Sequence, residues 1–232
     1  KRLKVMNPTS TCMDIKELIS YWKKNGIIRD EKIIQAFLST PRHLFVPEEY
    51  KEEAYNDYPL PIGHGQTISQ PTTVAIMTQA LMPEKGDKVL EIGTGSGWQA
   101  AILARIVDPG IVYSVEIVPE LVERARKNIA RLGLKNVRII HGDGSKGLRE
   151  YAPFDRIIVT AASPRINDEW IKQLKNNGIL IAPVGNMLSQ KMLRVTKKNN
   201  KIFIEDLGEF LFVPLRGEKG FKGLGENINN RK

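Results

Sequence analysis

Cysteine is almost absent from this chain of 232 residues: Cys12 is the only one, which excludes an internal disulfide, and nothing around it activates a thiol. Histidine is nearly as scarce. His43, His64 and His141 lie far apart, with neither metal-ligand spacing nor the companions of a hydrolytic triad, so no resident metal is expected. No apolar run approaches the length of a membrane span, and Lys1, Arg2 and Lys4 lead into Asn7-Pro8-Thr9-Ser10 rather than the apolar stretch of a signal peptide. These shortages predict a soluble, cytoplasmic protein without a membrane partner. Acidic residues are in the minority, 26 against 35 Lys and Arg, and the net charge of +9 would suit a polyanion, but the two signs interleave along most of the chain.

With 41% hydrophobic residues the chain is able to bury a sizeable core. Ile15, Leu18, Ile19 and Trp22 repeat at helical spacing after Asp14 and stop at Asn25-Gly26; Asp30 caps a second helix, with Ile33, Ile34, Phe37 and Leu38 on its apolar face, that Pro41 interrupts. The stretch from Tyr58 to Pro71 holds too much proline and glycine for a helix or a central strand and reads as a functional loop, after which Pro71 opens a helix over Val74, Met77, Ala80 and Leu81. From Lys88 strands and helices alternate: strands 88–92, 111–116, 137–141, 155–160 and 178–184, with helices over 98–107, 119–132 and 167–175 between them. That order predicts an α/β, doubly wound Rossmann-like sheet, mostly parallel. The β-rich segments 191–195 and 202–213, separated by Lys197-Lys198-Asn199-Asn200, should add an antiparallel edge. We expect three parts: an N-terminal helical extension with the loop (1–83), the α/β domain (84–216), and a glycine-rich charged tail (217–232) that is partly disordered unless something orders it. Arg124, Arg126, Lys127 and Arg131 read as a solvated helix face.

The chemistry concentrates after the first strand of the alternating part. Val89 to Gly97 reads Val-Leu-Glu-Ile-Gly-Thr-Gly-Ser-Gly, a buried strand running into a loop whose Gly93, Gly95 and Gly97 let the backbone lie against a ligand. The dinucleotide fingerprint would need a third glycine where Trp98 stands, and Glu91 would repel a phosphate, so S-adenosylmethionine, which has no pyrophosphate, suits the loop better than NAD. In a doubly wound sheet the ligand lies across the carboxyl ends of the strands, and three acids fall there. Glu91 closes the first strand, Glu116 closes the second and is placed to accept from both ribose hydroxyls, and Asp143 follows the third and is placed to accept from the adenine amino group, with Gly144 letting the base come close.

The chain resembles the protein-L-isoaspartate (D-aspartate) O-methyltransferases, within the class I S-adenosylmethionine-dependent methyltransferases. The resemblance runs from Leu18 to Leu215 and is carried by Pro41-Arg42-His43-Leu44-Phe45-Val46-Pro47, Gly65-Gln66-Thr67-Ile68-Ser69-Gln70-Pro71, Val89 through Gly97, His141-Gly142-Asp143-Gly144, Pro183-Val184-Gly185 and Val213-Pro214-Leu215. It implies methyl transfer from S-adenosylmethionine to the α-carboxylate of L-isoaspartyl residues in damaged proteins and peptides, after which the ester closes to a succinimide that hydrolyses in part to normal aspartate. It also implies an active-site serine at Ser69, cofactor contacts from Ile68, Glu91, Gly93, Thr94, Gly95, Ser96, Gly97, Glu116, Asp143 and Gly144, and a substrate-side strand at Val213, Pro214 and Leu215. Two positions depart from the family pattern: Trp98, which packing should tolerate, and Arg216, a cation after the Val-Pro-Leu.

A carboxylate, with a reference pKa of about 4, is ionised at neutral pH and needs no general base to act as a nucleophile, which suits a chain without an evident one. Ser69 lacks the Gly-x-Ser-x-Gly elbow of a serine nucleophile, so its expected role is positioning. The competing reading is a nucleic-acid (tRNA) methyltransferase, suggested by the positive charge. Against it, many enzymes that methylate exocyclic amino groups carry Asn/Asp-Pro-Pro-aromatic after the fourth strand, where this chain has Thr160-Ala161-Ala162-Ser163-Pro164. A cofactor-binding protein without catalysis is the third reading. A monomer acting on protein, with no nucleic-acid partner, is expected.

Overall fold

The computed structural model describes residues 14–222, so Cys12 and residues 223–232 of the tail lie outside the described residues. Helix α1 (Ile15–Lys24) begins with a capping box, in which the Asp14 side chain accepts from the Lys16 and Glu17 amides while Glu17 reaches back to the Asp14 amide. Asp30 caps α2 (Glu31–Leu38) in the same way, through the Lys32 amide. Trp22, Phe37 and Trp98 meet edge to face at centroid separations of 5.0 and 5.6 Å, so these two helices share one core with the α/β part of the chain. The Trp22 indole nitrogen, buried with its ring, donates to Thr72 Oγ1 at 2.8 Å in α3 (Pro71–Leu81).

The loop before α3 folds as a small antiparallel hairpin, β1 (Leu60–Gly63) and β2 (Gln66–Ile68), whose tip needs positive φ at His64 and Gly65. It stands apart from the main sheet. That sheet contains β3 (Lys88–Ile92), β4 (Ile111–Glu116), β5 (Val137–His141), β6 (Phe154–Val159), β7 (Leu174–Gly185), β8 (Gln190–Lys198) and β9 (Lys201–Phe210), in the order β5-β4-β3-β6-β7-β8-β9. Pairings from β5 to β7 are parallel and those of β8 and β9 antiparallel, as the segment order predicts. The central strands β3 and β6 are largely buried, β5 at the edge less so, because α4 (Trp98–Val107), α5 (Pro119–Arg131) and α6 (Asp168–Gln173) cover the sheet with the N-terminal helices. β8 and β9 turn on Asn199 and Asn200, both at positive φ, the backbone a two-residue hairpin requires.

Three features differ from the expectation. α6 ends at Gln173 and β7 begins at Leu174, four residues early, because Leu174 pairs with Phe154 before Asn177, at positive φ, shifts the register. Arg124 is half-buried rather than solvated: it donates to the Ile62 carbonyl at 3.0 Å and ties α5 to the hairpin, while Arg126, Lys127 and Arg131 are exposed. Residues 217–222 are held against the domain, the Glu218 and Lys219 amides donating to Asp143 Oδ2 and Ser145 Oγ at 2.9 and 3.0 Å. No helix among the described residues is long and apolar enough to cross a membrane.

Candidate active site

Strands β4 and β5 lie on one side of β3 and β6 on the other, so the chain reverses its winding at β3 and leaves a crevice at the carboxyl ends of the strands. A cleft opens there, lined by residues of the glycine loop, the hairpin and the segment after β9. The glycine loop and Glu116 form one wall; the hairpin with Ile68 and Ser69 and the segment Val213–Arg216 form the other.

The glycine loop is shaped from both sides. Gly93 donates to the Val115 carbonyl and Gly97 to the Thr94 carbonyl, both at 2.9 Å, and all three loop glycines have positive φ. A Cβ on Gly93 would meet Thr160 Oγ1 at 2.5 Å, so only glycine fits between β3 and β6 there. Thr160, at the end of β6, donates to the Gly93 carbonyl at 2.5 Å; sequence reasoning noticed it only as a missing motif of another enzyme class. Gly97 does not line the cleft. It begins α4 and lets the loop approach α5, where its Cβ would lie 3.3 Å from that of Ala125.

The three acids behave differently. Glu91 has no solvent exposure, and Ser114 Oγ donates to its Oε2 at 2.5 Å, which leaves Thr94 Oγ1 to donate to Ser114 Oγ at 2.6 Å. Its Oε1 has no partner, although the residue lines the cleft. Burial pushes the Glu91 carboxyl up to about 8 against the pull of the Ser114 hydrogen bond, and the charge of Glu116 adds to the rise. Glu116 accepts from the amides of Gly95 (2.8 Å), Ile117 (2.9 Å) and Val118 (3.0 Å). A carboxylate has about four acceptor positions, so these three bonds leave one open, enough for one ribose hydroxyl rather than the two expected. Asp143 is outside the lining: Oδ1 accepts from Ser145 N at 2.9 Å and Oδ2 from Glu218 N, while Gly144 beside it faces the cleft, and a Cβ there would meet Ile92 Cγ2 at 2.7 Å.

On the opposite wall Ser69 is half-buried, and its hydroxyl forms no hydrogen bond to another described residue; nor do the amides of Ser69 and Gln70. Val213 and Leu215 bracket Ala162, which donates to the Val213 carbonyl at 2.8 Å and accepts from the Leu215 amide at 2.7 Å. The Arg216 guanidinium reaches the His64 carbonyl at 3.4 Å, closing the mouth between the two segments. Among the described residues no group of three His, Cys, Asp or Glu side chains is arranged to hold a metal ion.

The residues fit S-adenosylmethionine. The partnerless Glu91 oxygen suits an ammonium group, and the glycines at positions 93 and 144 let the main chain of the cleft pack directly against Thr160 and Ile92, where a Cβ would not fit. Comparison with known proteins agrees. The family model described as protein-L-isoaspartate(D-aspartate) O-methyltransferase matches residues 13–220. A protein-L-isoaspartate O-methyltransferase of Staphylothermus marinus is 52% identical over 215 residues, covering 89% of this chain and 96% of its own. One from Pyrococcus horikoshii is 50% identical, covering 90% and 99%. A Plasmodium falciparum structure described as a protein-L-isoaspartate O-methyltransferase in complex with S-adenosyl-L-homocysteine superposes with a TM-score of 0.78 at 29% identity, covering 88% of this chain and 99% of its own.

Proposed function

The chain belongs to the protein-L-isoaspartate (D-aspartate) O-methyltransferase family, and from that premise we propose how its cleft methylates the α-carboxylate of L-isoaspartyl residues in damaged proteins and peptides. The observation that carries the assignment of roles is the set of free donors at the cleft-lining Ser69, its hydroxyl and its amide, with the unpaired Gln70 amide next in the chain. Neutral donors of this kind suit a carboxylate. S-adenosylmethionine, when bound, supplies a methyl group on a sulfonium sulfur. The Glu91 oxygen without a partner takes the amino-acid end, the open acceptor position of Glu116 takes a ribose hydroxyl, and Asp143 with Gly144 takes the adenine. Gly93, Thr94, Gly95 and Ser96 carry the loop against the ligand, Gly97 supports it from behind, and Ile68 lies against it from the hairpin.

Ser69 and the two amides then hold the substrate carboxylate in line with the methyl group, and no proton has to be removed first. Opposite charges disappear as the methyl moves, so partial exclusion of water by the hairpin and Val213–Leu215 favours the transition state. Orientation of this kind supplies roughly 7–11 kcal/mol in well-aligned systems. A stronger grip would stabilise the bound carboxylate more than the transition state, which fits a site offering neutral donors rather than a buried cation. Val213, Pro214 and Leu215 line the cleft and form its substrate side in this reading, with Pro214 carrying no amide hydrogen to leave unpaired.

The nucleic-acid reading is not favoured: the segment after β6, where amino-group methylases of nucleic acids carry their motif, is bonded here to Val213 and Leu215 of the same chain. We further place the enzyme in the cytoplasm as a monomer that acts on protein. The test is transfer of label from S-adenosylmethionine to peptides that differ only in L-isoaspartyl versus L-aspartyl, with tRNA as a third acceptor. Label on the isoaspartyl peptide alone, released by base as methanol, is expected; label on tRNA alone would overturn the proposal. Ser69→Ala should lower kcat/KM by about 10 to 100-fold, the worth of one hydrogen bond to a charged group, with S-adenosylhomocysteine binding intact.

A further inference from the structure

Arg42 is the most buried cation among the described residues, with no solvent exposure, and no carboxylate pairs with it directly. Its guanidinium sits in a cage of main-chain carbonyls. Nη1 donates to Ala54 O at 2.5 Å, and Nη2 reaches Ser69 O at 3.0 Å, Tyr58 O at 3.2 Å and Ile68 O at 3.4 Å. On its other side Cζ stands 5.4 Å from the ring centroid of Trp98, the first residue of α4 after the glycine loop. Trp98 is itself buried and fixed by an indole hydrogen bond to Thr40 O at 3.0 Å. Burial brings the guanidinium down to about 10, still charged at neutral pH.

The carbonyls it gathers include those of Ile68 and Ser69. In a trans peptide the N–H points opposite to the C=O, so holding these two carbonyls on Arg42 turns the amides of Ser69 and Gln70 away from it. Those are the same two amides that have no partner. Nη1 and Nη2 of the planar fork reach the four carbonyls, while Nε has no partner among the described residues; an ammonium has three donors and no plane.

We propose that Arg42 is the positioning residue of the substrate half-site: by clamping the carbonyls of Ile68 and Ser69 it sets the backbone that presents the Ser69 hydroxyl and the Ser69 and Gln70 amides to the substrate carboxylate. Its contact with Trp98 ties that backbone to the cofactor loop, so the distance between nucleophile and methyl group is held by one packed unit. The proposal rests on the reading of Ser69 as a substrate donor. A misplacement near 1 Å at a reacting centre costs on the order of 100-fold in rate.

The test compares Arg42→Lys and Arg42→Met with Ser69→Ala and with each double variant, counting competent sites by S-adenosylhomocysteine binding stoichiometry. Per competent site, Arg42→Met should lose on the order of 100-fold in kcat/KM for an isoaspartyl peptide. The loss should include a raised KM, Arg42→Lys should recover part of it, and the dissociation constant of S-adenosylhomocysteine should change far less than kcat/KM. The Arg42 and Ser69 losses should not multiply in the double variants, since one residue acts through the other. Where Arg42→Met does not fold, Arg42→Lys carries the comparison alone. Normal KM and kcat per site in Arg42→Lys beside an impaired Ser69→Ala would overturn the clamp only; a silent Ser69→Ala would overturn the reading of the site and the clamp with it.

Discussion

Glu91→Gln separates stability from function at a single buried atom. The Glu91 carboxyl is raised from its ordinary 4.5 to about 8, chiefly by burial. Between those values the unfolded chain is ionised while the folded protein, without its cofactor, holds the proton. Stability is therefore complete below pH 4.5 and falls as pH rises, until it levels off above about 8. Each pH unit in that window removes about 1.4 kcal/mol, so the cost reaches about 3 kcal/mol by neutral pH. Glutamine has no ionised form in the unfolded chain and keeps an oxygen for the Ser114 hydroxyl, so the variant should lack this slope. Thermal or urea unfolding of both proteins across this pH range should show Glu91→Gln gaining on the wild type by about 3 kcal/mol between acid and neutral pH. The same change should weaken S-adenosylhomocysteine binding by about tenfold or more, because a charge-assisted partner for the ammonium is lost. Calorimetry in two buffers of different ionisation heat should detect a proton released on binding to the wild type and none in the variant. A stability gap that does not change with pH would refute the reasoning, since it would mean that the folded protein holds Glu91 ionised.

Four further outcomes follow from the same geometry. Gly93→Ala puts a methyl 2.5 Å from Thr160 Oγ1 at a positive φ, and should cost about 1–3 kcal/mol of stability together with most cofactor binding, as unfolding and S-adenosylhomocysteine titration would show. Gly133→Ala, also at positive φ but facing open space, should leave cofactor binding unchanged. Asp143→Ala removes the acceptor of the Ser145 and Glu218 amides as well as the proposed adenine partner, so titration should show S-adenosylhomocysteine binding weakened by about tenfold or more. Arg216→Leu removes the cation at the mouth; KM for an acidic isoaspartyl peptide should rise at low ionic strength and converge on the wild-type value as salt is added, without change in kcat.

The alternation of strand and helix from Lys88 onward, the caps at Asp14 and Asp30, the glycine loop and the acids at strand ends are local patterns: each is written in a few adjacent residues whose periodicity or backbone demands can be read without a partner. They were enough to state the sheet and its antiparallel edge. What the tertiary structure alone decided is how polar groups distant in sequence share hydrogen-bonding capacity. Glu116 is read from the chain as a free carboxylate, yet three amides claim most of it; Asp143 also holds the Ser145 and Glu218 amides; Arg124 leaves its helix surface for the Ile62 carbonyl. Glu91 becomes a neutral acid only because β3 is covered on both faces. Arg42 sits in a motif that identifies the family, but its task depends on carbonyls 12 to 27 residues away and on a tryptophan across the core. Local sequence determines which backbone shapes are possible; which donor meets which acceptor is settled only when packing brings the segments together and removes the water that would otherwise serve them all.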